Sequence, residues 1–183
     1  MRDRRPSEDM LRSWCEEHHQ KNTPLQRFDI RIDANGQWFH EGEMIQRDRM
    51  VAMFANILTR FDNGDYGLVT PAEWGSISVD DVPYLVTQME EDTHQDIAVI
   101  RLTTSLGDTI TLDADHTFMI RNKEGEERPY VMIRKGLDAR INRSVYYQLV
   151  EKSVETDDGQ FGIWSAGVFH SLMSQQAIAA NKT

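Results

Sequence analysis

The sequence predicts an α+β protein made of two tandem, structurally similar units, each an antiparallel sheet wrapped around one helix. Short strands bounded by glycine-containing turns fill most of the chain, and two segments with a helical apolar period interrupt them. A turn and a strand of nearly the same residue types follow both helices, which indicates that one unit is present twice. The 183 residues are enough for two small units.

Residues 1–24 predict a tail followed by a helix. Ser7 can cap the helix, because its hydroxyl can accept a hydrogen bond from the first turn. An apolar stripe at the spacing of one helix face follows, and it comprises Met10, Leu11, Trp14 and Cys15. Pro24, which has no amide hydrogen, ends the segment.

Residues 25–94 predict the first unit. Two strands flank Asn35-Gly36, which predicts a two-residue hairpin turn because both residues accept a positive φ. Residues 46–61 have a helical period, and Asp62-Asn63-Gly64 is expected to stop that helix with glycine in the left-handed conformation. Strands are then predicted at 66–70, 74–79 and 84–89.

Residues 95–172 predict the second unit. Its helix starts near Asn142 and is expected to stop at Asp157-Asp158-Gly159, and the last strand runs from Phe161 to Phe169. Its other strands are predicted at 97–102, 109–112, 118–120 and 130–133. The tail at 173–183 is expected to fray.

The two units repeat each other at a nearly constant offset. Ile45-Gln46-Arg47 and Ile141-Asn142-Arg143 open the helices at an offset of 96 residues. Residues 62–70 and 157–165 then share one pattern of Asp, Gly, aromatic, Gly, aliphatic and hydroxyl residues at an offset of 95. A duplicated unit buries an interface between its copies and leaves a groove along it, where we expect a ligand to bind.

Composition and charge exclude several classes of protein. No apolar run approaches the ~20 residues of a membrane span, and no apolar segment of a secretory signal follows the N-terminus. The single cysteine, Cys15, cannot form an intramolecular disulfide, which predicts a cytoplasmic location. The net charge of −10 argues against nucleic-acid binding. Residues 61–120 carry this acidity, either as a solvated surface or as a patch for a basic partner.

Several strings of the sequence resemble a bacterial family known as domain of unknown function 1285. They are DIRI at 29–32, GQWFHEG at 36–42, IQR at 45–47, YGLVTPAE at 66–73, INRSVYYQLV at 141–150 and GIWSAGVF at 162–169. The resemblance covers residues 25–172. It implies a duplicated α+β unit whose C-terminal copy is superficially similar to a pleckstrin-homology barrel. It implies no established activity, and it suggests involvement in signalling.

No group of residues in the sequence predicts catalysis, a metal site or a cofactor. Ser165 lacks the G-x-S-x-G pattern of a nucleophile elbow, because Ile163 stands where glycine is needed. The two clusters of histidine and acid, at 94–96 and 113–116, lack the spacing of zinc ligands. Neither Asp-x-Gly turn has the alternation and terminal Glu of a calcium loop. No glycine-rich phosphate loop occurs either.

Binding residues are predicted instead, at the groove between the repeats. Arg47 and Arg143 lie in the first turns of their helices, where the positive end of the macrodipole disfavours a cation, so each is expected to face an anion. That anion is either an intramolecular carboxylate, such as that of Asp48, or a carboxylate or phosphate of a ligand. The predicted site also contains three aromatic residues, Trp38, Tyr147 and Trp164. A further basic cluster, from Arg134 to Arg143, is interpreted as a solvated loop tip or a second anion site.

The sequence therefore favours a non-catalytic binding or regulatory module that receives an anionic small molecule or a protein partner. An enzyme with a non-standard site, such as a hydrolase of an anionic substrate, is the first alternative, and a homo-oligomeric scaffold is the second. A deep cleft with acid and base groups would favour the enzyme, whereas a shallow groove lined by Trp, Tyr and Arg would favour binding. Symmetric burial of well over ~1,000 Å² would favour the oligomer.

Overall fold

Strands dominate residues 5–173, the part of the chain that the computed structural model describes. They form two tandem sheet units that divide between Pro83 and Tyr84, and each unit has a central helix. The predicted α+β class and the two units are thus confirmed. The predicted frayed tail falls, from residue 174 onwards, outside the described residues.

Unit 1 consists of helix α1 followed by a three-stranded meander, a helix and a second three-stranded meander. Its elements are α1 (Glu8–Gln20), β1 (Gln26–Ile32), β2 (Trp38–His40), β3 (Glu43–Met44), α2 (Asp48–Asn56), β4 (Leu58–Arg60), β5 (Tyr66–Val69) and β6 (Trp74–Val79). The two meanders join through a parallel pairing of β1 with β6, which gives one six-stranded sheet of order β3-β2-β1-β6-β5-β4. The parallel β1–β6 pair departs from the predicted antiparallel sheet. It can form because α2 lies in the long connection between the two meanders, as a parallel pairing requires.

Unit 2 has the same order of meander, helix and meander, after three additional strands. Its elements are β7 (Tyr84–His94), β8 (Ile97–Thr104), β9 (Thr109–Thr111), β10 (Phe118–Lys123), β11 (Glu126–Arg134), β12 (Leu137–Ile141), α3 (Arg143–Glu151), β13 (Val154–Glu155), β14 (Phe161–Ser165) and β15 (Val168–Ser171). Strand β7 pairs with β12 in parallel, and β13-β14-β15 forms a separate sheet. A boundary between residues 94 and 95 would cut the β7–β8 hairpin, whose antiparallel pairing keeps both strands in unit 2.

The first Asp-x-Gly segment is a hairpin turn and not a helix stop. Helix α2 ends at Asn56, and residues 58–60, predicted as its last turn, form β4. The Gly64 N–H donates to the Phe61 carbonyl at 2.9 Å, and Gly64 has a φ of +89°. The apolar spacing that predicted a longer helix also fits a strand that enters this turn, so the turn chemistry decides between them.

The second Asp-x-Gly segment repeats this arrangement. Helix α3 ends at Glu151 and is followed by β13. The Gly159 N–H donates to the Thr156 carbonyl at 2.8 Å, and the Thr156 N–H donates to the Gln160 carbonyl at 2.9 Å. The same departure from the sequence-based prediction in both units supports the duplication.

Three further turns differ from the predictions. Gly36 has a positive φ but Asn35 does not, because the Asp33 carboxylate accepts from the Asn35 and Gln37 N–H groups in a wider turn. Ala166-Gly167, where both φ angles are positive, is a two-residue turn that divides the predicted last strand into β14 and β15. Strand β12, which the sequence analysis missed, makes the predicted basic loop a hairpin with β11.

The pairing registers of the second meanders, β4–β6 and β13–β15, show one constant offset of 95 residues. In unit 1, Thr59 of β4 lies opposite Gly67 of β5, and Val69 of β5 lies opposite Trp74 of β6. In unit 2, Val154 lies opposite Gly162 and Trp164 lies opposite Phe169. Each of these residues has a number 95 higher than its equivalent in unit 1. Helices α2 and α3 also have 9 residues each and begin at residues 48 and 143.

This offset separates the two arginines that the sequence analysis paired. Arg47 corresponds to Asn142 and not to Arg143. Arg47 precedes α2 and makes no capping hydrogen bond with its side chain. Asn142 precedes α3, and its Oδ1 accepts from the Val145 N–H at 2.8 Å. The argument that both copies keep an arginine at one position is therefore corrected.

Replacement of Arg47 by Asn is expected to stabilise unit 1 by about 1 kcal/mol, because it would supply the cap that Asn142 gives α3. The backbone at Arg47 is extended, as a helix cap requires. Urea unfolding of the full chain measures the change. Asn142→Ala is the control and should cost about as much. An unchanged midpoint for Arg47→Asn, beside a lowered one for Asn142→Ala, would refute the equivalence of the two positions.

Candidate functional site

One face of the β13–β14–β15 sheet presents aromatic residues to solvent. Residues directly opposite each other on antiparallel strands share a face, as do residues two apart on one strand. The pairs Val154–Gly162, Gly162–Ser171 and Trp164–Phe169 therefore lie on the same side. We call this side the Trp164 face, and its members are Val154, Gly162, Trp164, Phe169 and Ser171.

The Trp164 face is apolar and open. Trp164 is 53% exposed and Val154 is 47% exposed. The Trp164 and Phe169 rings are in contact, with centroids 5.3 Å apart and planes tilted by 57°. The Phe169 ring covers Gly162, where a side chain would collide with it. On the opposite side of the sheet Ile163, Ser165 and His170 are buried, whereas Phe161 at the start of β14 is 46% exposed. The exposed Trp164 therefore belongs to a sheet that packs, through its central residues, on the rest of unit 2.

The equivalent face of unit 1 is covered by α1. We call it the Val69 face, and its members, at the offset of 95 residues, are Thr59, Gly67, Val69, Trp74 and Ser76. Val69 is 0% exposed and Trp74 is 5% exposed, because Leu11 of α1 packs with both in one cluster.

Polar contacts and ring stacking fix α1 in that position. The His18 ring stacks on Trp74 with centroids 5.3 Å apart, and its Nε2 donates to the Thr70 carbonyl at 2.8 Å. The Trp74 indole N–H donates to the Thr23 carbonyl at 3.1 Å. The predicted segment 1–24 had no assigned role; its helix α1 closes the core of unit 1, and its first four residues lie outside the described residues.

The five predicted binding residues lie in different environments. Trp38 is 2% exposed and stacks on Phe54 at 6.2 Å, so its indole ring is part of the unit 1 core. Tyr147, on α3, is 61% exposed, and the exposed Trp164 lies on β14. Arg47 and Arg143 are exposed at their helix starts. The groove between the repeats stays a prediction.

Sequence analysis missed Val154 and Phe169 as partners of Trp164. Their signal was present in the duplication, since Trp164 and Phe169 stand where Val69 and Trp74 stand in unit 1. The sequence alone does not reveal this correspondence, because its repeats give two offsets, 96 and 95, and because residues 161–169 read as one undivided strand.

Other residues that could suggest chemistry have structural partners. The Ser165 hydroxyl is buried and accepts from the Ile100 N–H at 2.9 Å, which accounts for a hydroxyl at that position. The Asp113 carboxylate accepts from the ring and backbone of His116. Burial raises the pKa of Asp113, but these hydrogen bonds outweigh it and the pKa is lowered overall. Burial, followed by the charges of Asp62 and Glu16, raises the pKa of the Cys15 thiol.

Three acidic residues of the middle third make ion pairs at the surface. Asp80 pairs with Arg31, Asp92 with Arg101 at 2.6 Å, and Glu91 with Lys152 at 2.6 Å. Exposed pairs of this kind contribute little stability. Among residues 5–173, no group of three His, Cys, Asp or Glu side chains could hold a metal ion.

A small pocket in unit 1 lies beside α2. Its volume is about 120 Å³, which is below the ~300 Å³ of ordinary small-molecule sites. Its lining is mostly apolar and consists of Phe28, Ile30, Phe54, Ile57, Leu68, Thr70 and Glu73.

Unit 2 is expected to lose stability as the pH falls below 6.5, because burial lowers the pKa of His170 while Asp113 only partly opposes this. The unfolded chain then binds a proton that the folded chain excludes, so folding becomes less favourable until the lowered pKa is reached. Urea unfolding at about pH 7.5 and about pH 5.5 measures the loss. His170→Gln should lose less stability over this range, and an equal loss in both proteins would show that His170 is not its source.

Comparisons with known proteins identify relatives without an assigned activity. Two family models match the chain: Domain of unknown function (DUF1285), N-terminal domain, over residues 18–82, and Protein of unknown function (DUF1285), C-terminal domain, over residues 83–172. No curated protein matches. Residues 5–173 also contain no helix that is long and apolar enough to cross a membrane.

Two crystal structures are similar to this chain. A DUF1285 family protein from Silicibacter pomeroyi DSS-3 is 35% identical, with a TM-score of 0.76 and coverage of 88% of each chain. A DUF1285 family protein from Shewanella baltica OS155 is 25% identical, with a TM-score of 0.54 and coverage of 67% of this chain and 91% of that one.

Proposed function

The chain belongs to the DUF1285 family, and we propose that it is a non-catalytic binding module whose Trp164 face receives a protein partner. The observation that carries the proposal is the exposure of Trp164 beside Phe169 on a sheet whose other side buries Ile163, Ser165 and His170. Tryptophan contributes strongly to protein interfaces because its large, rigid surface loses little conformational entropy on binding. An open apolar face of this kind marks an interaction surface.

The proposal accounts for the composition of the face. Phe169 covers Gly162 and supports the Trp164 ring from one side, so the indole is held in place without being buried. A side chain that is pre-ordered in this way binds at a lower entropic cost than a flexible one. A regulatory or signalling role, which the family resemblance suggests, requires only such binding.

The test is an aromatic photo-crosslinking amino acid, which keeps a large ring at the site, placed at position 164 of the full chain in cells of its source organism. Adducts with a protein partner are expected at 164. Position 53 is the control, because Met53 is 54% exposed and lies on α2 of unit 1. The partner, once purified, should bind the Trp164→Ser protein at least tenfold more weakly, and the Met53→Ser protein as well as the wild type.

Two results would contradict the proposal. Equal adducts at 164 and 53 would mean that the Trp164 face has no specific partner. Adducts made only of a second copy of this chain would favour the homo-oligomeric scaffold instead.

A further inference from the structure

We propose that the partner of the Trp164 face is an amphipathic helix flanked by basic residues, which docks as α1 docks on the Val69 face. This inference rests on the proposed function and names the class of its partner.

The first step is that the two faces have the same strand pairing. Both are formed by three antiparallel strands after a nine-residue helix, with the same register partners at an offset of 95 residues. Glycine occupies the equivalent positions 67 and 162, and serine occupies 76 and 171. Faces with equivalent strand pairing and small residues at the same places can accept the same kind of element.

The second step is that unit 1 shows what this surface binds. Helix α1 places Leu11 in a cluster with Val69 and Trp74, and Trp14 and Cys15 pack against that cluster. Leu11, Trp14 and Cys15 have the i, i+3, i+4 spacing of one helix face. In unit 2, Trp164 and Phe169 take the places of Val69 and Trp74 and expose an apolar surface that such a stripe would cover.

The third step is the charge of the residues next to the face. Val154 is flanked in sequence by exposed acids at positions 151, 157 and 158, while Glu155 pairs with Phe161 on the other side of the sheet. The one basic residue between positions 151 and 165, Lys152, donates to Glu91 at 2.6 Å. A helix with Lys or Arg beside its apolar stripe would complement this charge, and an acidic helix would be repelled.

The fourth step is that the chain's own α1 is the wrong partner for this charge. The residues of α1 include Glu8, Asp9, Glu16 and Glu17. The same helix with basic residues at three of these positions keeps the apolar stripe and reverses the charge. Two peptides, one with the α1 sequence and one with these basic replacements, therefore separate the apolar and electrostatic contributions to binding.

The experiment measures binding of two fluorescent peptides to the full chain by anisotropy. Both span residues 5–24 with Cys15→Ala, which removes the thiol and keeps the apolar stripe, and one also carries Glu8→Lys, Glu16→Lys and Glu17→Lys. The basic peptide is expected to bind at least tenfold more tightly than the acidic one. Trp164→Ala should weaken its binding at least tenfold, and Met53→Ala should change it less than twofold. Circular dichroism establishes that both variants are folded.

Several outcomes would overturn the helix inference. They are no binding of the basic peptide, binding that Trp164→Ala does not weaken, and equal affinity for both peptides. Binding only after removal of residues 174–183 would assign the face to the chain's own C-terminal segment. A self-association that Trp164→Ala abolishes would assign it to a second copy.

Failure of the inference can be distinguished from failure of the proposed function. Adducts with a partner at position 164, together with no peptide binding, would reject a helical partner and leave the binding module standing. Absence of both would reject the two proposals together.

Discussion

Trp74→Ala is expected to lower the free energy of unfolding by about 3–5 kcal/mol. The Trp74 side chain packs against Leu11 and Val69, and the His18 and Phe61 rings contact it at 5.3 and 5.5 Å. Its removal leaves a cavity under α1 and also leaves the Thr23 carbonyl without the indole donor. The substitution therefore removes both the apolar and the polar contacts that hold α1 on unit 1.

The matched control is Trp164→Ala, the same substitution on the equivalent face of unit 2. Because Trp164 is mostly exposed, its replacement should cost less than about 1 kcal/mol. Urea unfolding followed by far-UV circular dichroism measures both variants. Equal costs for the two substitutions would contradict the coverage of the Val69 face by α1. Limited proteolysis that cleaves α1 no faster in the Trp74→Ala protein than in the wild type would also contradict it.

The second large effect is expected for Gly67→Ala, which should cost about 2–3 kcal/mol. An added Cβ would overlap the Phe61 ring and lie 2.6 Å from the Gly75 carbonyl oxygen. The ring could move, but the carbonyl belongs to the paired strand β6, so the sheet itself would have to open. Gly162→Ala should behave in the same way, because its Cβ would overlap Phe169 and lie 2.5 Å from the His170 carbonyl oxygen.

Gly64→Ala is the control for the conformational part of this cost. Gly64 has a φ of +89° and open space around it, so alanine there is strained but meets nothing within 4 Å. The expected cost is about 1 kcal/mol. Thermal and urea unfolding of the Gly64→Ala, Gly67→Ala and Gly162→Ala proteins measure these costs. A Gly67→Ala protein as stable as the Gly64→Ala protein would refute the close approach of β5 and β6 at Gly67.

The sequence predicted those elements whose signals are local. Ser7 caps α1 through the Met10 N–H as expected, and Leu11 lies on its buried side. The strands at 66–69 and 74–79 were predicted because alternation and flanking turn residues are both local.

Prediction from the sequence failed where two local signals compete. The apolar positions Ile57, Leu58 and Phe61 fit a helix face as well as a strand, and only the hydrogen bonds of the following turn resolve them. Strand β12 was missed because Arg134, Lys135 and Arg140 suggested a solvated loop. Its pairing with β7, far away in the chain, makes it a strand.

Taken alone, the sequence determined the α+β class, the duplication and the site of most strands, because these follow from turn chemistry and apolar period. Only the tertiary structure decided which strands pair, that a single offset relates the helices and the meanders after them, and that Trp38 is buried whereas Trp164 is exposed. The physical reason is that burial depends on what covers a face. Helix α1 covers one copy of this face, and the described residues leave Trp164 exposed on the other.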